Sequence, residues 1–112
     1  MNKIVLTVCL SMATSTASAA ALCKVVYDGD PGVLEHEIAH CNGWIHSEPD
    51  QNTTVHQHER APLKYRHAYP NVQVYKASGL SVAKLCSKVT GYTYDTPYLQ
   101  TVRGCAIGGK IK

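Results

Sequence analysis

Cys23, Cys41, Cys86 and Cys105 restrict the folds open to this chain more than any other feature. A fifth cysteine, Cys9, lies in a leading segment where Lys3 precedes an apolar stretch from Ile4 to Met12, followed by small residues ending in Ala17-Ser18-Ala19. That is the layout of a secretory signal peptide cut after Ala19, and its apolar part is far shorter than the ~20 residues that span a bilayer. Cleavage there would leave 93 of the 112 residues with four cysteines. An even number in a small exported domain is expected to form two disulfides. All three pairings are open. The intervals of 17, 44 and 18 residues hold no C-x-x-C pair of the kind a four-thiolate zinc site uses.

Residues 20–112 are enough for one compact domain and too few for two. So short a chain buries a weak core, which two bridges worth roughly 2–4 kcal/mol each would offset. The formal charge is +3, one less without Lys3, and the basic residues are scattered, with only Lys110 and Lys112 resembling a tail. Neither nucleic-acid binding nor membrane binding after signal cleavage is expected of such a surface.

Residues 22–27, LCKVVY, favour a first strand, and Asp28-Gly29-Asp30 turns the chain. A helix over about 31–42 follows, with Asp30 as its cap and Pro31 in its first turn. Leu34, Ile38 and Cys41 form its apolar stripe, which should face the core, and His36 and His40 fall on the opposite side. Residues 48–62 form a polar loop with a brief extended piece at Thr54–His58, and 71–76 alternate as a strand. Val82, Leu85, Cys86 and Val89 recur at helical spacing over about 81–89, which Gly91 ends, and one or two short strands are expected after residue 92. The fold class is α+β: a small disulfide-stapled domain with two helices on a few short strands.

The chemistry is concentrated in residues 36–46, HEIAHCNGWIH, which satisfy every fixed position of H-E-x-x-H-x-x-G-x-x-H. Residue frequencies make such a match by chance a matter of 10⁻⁵ to 10⁻⁴, on the order of magnitude, for a chain of this length. His36 and His40, four apart on a helix, point the same way and can share one zinc ion. Gly43 stops the helix and turns the chain, bringing His46 back as a third ligand. Three imidazoles leave a fourth tetrahedral position open, the mark of a catalytic zinc rather than a structural one. Glu37, about 100° around the helix from His36, falls where a general base is wanted.

This segment resembles the extended zinc-binding motif of the metzincin clan of zinc metallopeptidases. The resemblance implies one zinc ion per chain on His36, His40 and His46, with Glu37 as base in the hydrolysis of peptide bonds. It is confined to this helix and turn: the only methionines are Met1 and Met12, so the clan's methionine turn has no counterpart after Ala19.

The leading expectation is an exported zinc metallopeptidase, secreted or periplasmic, acting on a peptide or protein. A protein partner could complete so small a cleft. The alternatives are a zinc-binding accessory protein without turnover and a zinc amidase acting on cell-wall peptide. His56 and His58 share one face of an extended segment and could form a second site or a polar loop, and His67 is more weakly placed. Trp44 is expected to pack against the turn. Tyr92, Tyr94 and Tyr98 are candidates to stabilise an oxyanion in a chain with seven tyrosines and no phenylalanine. Asn52 heads an N-T-T glycosylation acceptor.

Overall fold

The computed structural model describes residues 20–46 and 59–111. The expected signal segment, the extended piece at Thr54–His58 with its two histidines, and Asn52 lie outside them. Strand β1, Cys23–Tyr27, is the centre of a three-stranded sheet. Strand β2, Val72–Lys76, runs parallel to it on one side, and strand β3, Gly104–Gly108, runs antiparallel on the other. A parallel neighbour needs a crossover. Helix α1, Pro31–Cys41, supplies the first part of it.

Local chemistry sets the bounds of α1. The Asp30 side chain accepts the Gly32 N–H at 2.8 Å, and Pro31 takes the first helical position, where no N–H is needed. Arg103 fastens this end to the start of β3, its guanidinium donating to Asp28 at 2.6 Å and to Asp30 at 2.8 Å. Helix α2, Leu80–Thr90, ends at Gly91.

The two-residue period of β1 distributes the helices. Cys23 and Val25 face α1 and pack with Cys41, Leu34 and Ile38 around Tyr69. Val26 faces the other way and packs with Val82 and Cys86 of α2. The sheet is therefore covered by one helix on each face, and each helix is bolted to the strand beneath it. Cys23–Cys41 joins β1 to the end of α1, and Cys86–Cys105 joins α2 to β3. These are the pairings that the intervals between the cysteines left open.

The last third holds one strand, β3, within the one or two expected there, and residues 91–103 are irregular apart from a single 3₁₀ turn at Leu99–Thr101. The side of α1 opposite its apolar stripe, where His36 and His40 fall, is covered as well. Trp44 and Ala61 cover it, burying Ala39 completely, and His36 is only 3% exposed. The chain after Glu59 is held there by Asn42 at the end of α1, whose side-chain amide donates to the carbonyls of Tyr65 (3.1 Å) and His67 (2.7 Å).

Candidate metal centre

Three imidazoles are brought together by a helix end. The Gly43 N–H donates to the His40 carbonyl at 2.9 Å and the Trp44 N–H to the Ala39 carbonyl at 3.2 Å. This is a Schellman closure, which requires a left-handed residue after the helix cap. Gly43, at φ +104°, provides it. The turn reverses the chain within two residues, so the Trp44 carbonyl meets the His40 ring and His46 returns over α1. His36, His40 and His46 then offer one nitrogen each, all within 4.8 Å of one another.

The partner of each ring's other nitrogen decides what the cluster presents. His36 Nδ1 donates to the Glu59 carbonyl at 2.7 Å, and His40 Nδ1 to the Trp44 carbonyl at 2.7 Å. His46 Nδ1 donates to the Glu59 carboxylate at 3.1 Å. Carbonyl and carboxylate oxygens only accept, so each Nδ1 must carry the proton, and in a neutral ring Nε2 is then a lone pair. Burial favours the neutral form of His40, lowering its pKa to about 4. The His36 and His40 Nε2 atoms stand 3.2 Å apart. Two facing lone pairs at that distance repel, and a cation between them converts the repulsion into coordination.

The spacing of the His36 and His40 nitrogens fits a metal ion. Two nitrogens at 2.0–2.1 Å from one tetrahedral zinc ion stand about 3.3 Å apart. An oxygen acceptor on the far nitrogen of each ligating histidine is also the arrangement that fixes tautomer and ring orientation in metal sites. The described residues thus form a three-histidine site that could hold a metal ion.

The chain matches no family model, no curated protein and no solved structure. The reading of the site therefore rests on its own geometry.

Glu37 lies outside the cluster of three, between α1 and β3. Its Oε2 packs over Gly104, where a Cβ would stand 3.0 Å from that oxygen, 2.9 Å from Val33 Cγ1 and 2.8 Å from the Val26 carbonyl. Only glycine leaves room for the carboxyl group at this point of β3. No described residue donates a hydrogen bond to Glu37, and burial raises its pKa to about 8.

Of the three candidate tyrosines, Tyr92 is largely exposed, whereas Tyr94 is half-buried against the α2 face of the sheet. Burial raises the Tyr94 pKa, and the Glu37 charge adds to the shift, so this tyrosine lies within electrostatic range of Glu37. Tyr98 is partly buried beside the Leu99–Thr101 turn, and His67 is exposed. None of these joins the three-imidazole cluster. Glu59 and Asn42 were not singled out from the sequence. Glu59 ends a polar loop with no periodicity to mark it, and Asn42 sits at an unspecified position of the motif.

Proposed function

We propose that the chain is a zinc-dependent hydrolase of peptide bonds whose metal is held by Nε2 of His36, His40 and His46. The observation that carries this reading is the convergence of three imidazoles, each offering one nitrogen, whose Nδ1 partners are all oxygen acceptors. Among the described residues no fourth ligand joins them, and three protein ligands are what a catalytic zinc takes where a structural one takes four. Zinc bound there supplies Lewis acidity toward a carbonyl and makes water acidic near neutrality. The work left to the chain is proton handling, for which Glu37 is suited. Its carboxyl follows His36 directly on α1 and is the acid–base group that a general base able to return its proton to a leaving amine requires. Both disulfides suit an oxidising compartment, and no helix among the described residues is long and apolar enough to cross a membrane. An exported protein, with residues 1–19 removed, accords with both.

Metal binding without turnover is the second reading, and the position of Trp44 favours it. The indole centroid is 4.8–5.1 Å from all three imidazole centroids, so one side of the cluster is closed by a ring. Elemental analysis with a peptidase assay separates the two. On the hydrolase reading, the wild-type chain holds about one zinc and cleaves a peptide library, while Glu37→Gln keeps the metal and loses cleavage by about 100-fold or more. Cleavage that survives in Glu37→Gln removes this carboxyl from the mechanism, and zinc without cleavage in the wild type selects the second reading.

A further inference from the structure

The motif supplies the Nδ1 acceptor of one of its three histidines. His40 takes its acceptor from Trp44, inside the segment 36–46, whereas His36 and His46 both take theirs from Glu59. The main-chain oxygen of Glu59 holds His36, and its carboxylate holds His46. We propose that Glu59 is a positioning residue of the metal centre, fixing two of the three ligand rings from outside the motif. This rests on the metal-site reading above.

The scaffold aims Glu59 at the rings. Arg60, next in the chain, donates to Glu35 on α1 at 3.2 Å. Ala61 is buried between Ala39 and Trp44, and Asn42 grips the carbonyls of Tyr65 and His67. Three attachments to α1 and its cap thus follow Glu59 within eight residues. His46 has the greater need of such a partner. His36 and His40 are constrained by the helix that carries them, but His46 arrives from an irregular stretch whose preceding residue, Ile45, is 67% exposed. A carboxylate on its Nδ1 fixes the tautomer, sets the ring plane and makes Nε2 a stronger donor to a metal. The Glu59 side chain is itself partly exposed, at 37%, so replacing it leaves no cavity.

The test measures zinc affinity, by competition with a chromogenic chelator, in the full disulfide-bonded chain and its Glu59→Ala and Glu59→Gln variants. The visible spectrum of the Co(II)-loaded proteins is recorded beside it. Glu59→Ala is expected to bind zinc about 10- to 100-fold more weakly, with unchanged circular dichroism and an altered Co(II) spectrum. Glu59→Gln, which keeps an acceptor oxygen, should recover most of the affinity and the wild-type spectrum. A merely structural role would lower stability without moving the Co(II) bands. Glu59→Ala affinity and spectrum indistinguishable from wild type would overturn the proposal, as would a Glu59→Gln variant no better than Glu59→Ala. A wild-type chain that takes up neither zinc nor Co(II) would overturn the metal-site reading, and with it this one.

Discussion

The indole of Trp44 lies parallel to the imidazole of His40, with 11° between the planes and 4.8 Å between the centroids. It meets His36 edge-on at 5.1 Å and His46 at 4.8 Å, while the imidazoles stand 4.9–5.0 Å from one another. The four rings therefore occupy the corners of a nearly regular tetrahedron. The Schellman turn at Gly43 places Trp44 there, so one local conformation sets both the third ligand and the aromatic wall.

Trp44 is the only tryptophan in the chain, which makes its emission a reporter of the cluster. Cu(II) or Co(II) bound by the three histidines would lie within contact range of the indole and should quench most of the fluorescence at one equivalent. His40→Ala removes both a ligand and the stacking partner, so the same addition should leave that variant bright. Titration of the wild type with no change in emission would mean that the metal does not enter between these rings.

The two disulfides make a second contrast. Each closes a loop of similar length, with the bonded cysteines 18 and 19 residues apart, so each should stabilise the fold by a similar amount, about 3 kcal/mol. Their relation to the site differs. Cys41 directly follows His40, and its carbonyl accepts the Lys110 N–H at 2.9 Å, so the Cys23–Cys41 bridge anchors the helix end from which the turn begins. Cys86–Cys105 lies on the other face of the sheet. Replacing either pair with serine should lower the urea midpoint comparably, while zinc affinity should fall only in the Cys23→Ser/Cys41→Ser protein. Equal affinities in the two would show that the sheet and Asn42 hold the turn unaided.

Much of this arrangement was legible in the sequence, because its signals are local. Asp30-Pro31 and Gly43 mark the two ends of α1 by capping chemistry, and the strands over 22–27 and 71–76 and the second helix follow from short-range periodicity. Leu34, Ile38 and Cys41 do face the core. What escaped is long-range. The burial of His36 and His40 depends on a segment more than twenty residues away, folded over α1 by Asn42 and Ala61, and nothing in a helical pattern announces a second cover. The disulfide pairing likewise depends on which face of the sheet each helix takes. Glu59 was missed for the same reason, since one of its two contacts is made by a backbone carbonyl, which no residue type reveals.

The buried titratable groups predict an unusual pH dependence of stability for the metal-free protein. Burial raises the Glu37 pKa from 4.5 to about 8, so the folded chain holds a proton that the unfolded chain has released. That stabilisation is complete below pH 4.5 and is lost progressively as pH rises to about 8. His40 behaves in the opposite sense. Its pKa falls from 6.5 to about 4, so its contribution is complete above pH 6.5 and is lost as pH falls toward 4. Between 4.5 and 6.5 the two slopes oppose one another and largely cancel. From 6.5 to 8 only Glu37 still changes, and at about 1.4 kcal/mol per pH unit the chelator-treated protein should lose roughly 2 kcal/mol. Glu37→Gln removes this titration while keeping the shape of the side chain. The variant should match the wild type at pH 4.5 and exceed it in urea unfolding at pH 8, and a constant difference between the two across that range would show that Glu37 ionises freely in the fold.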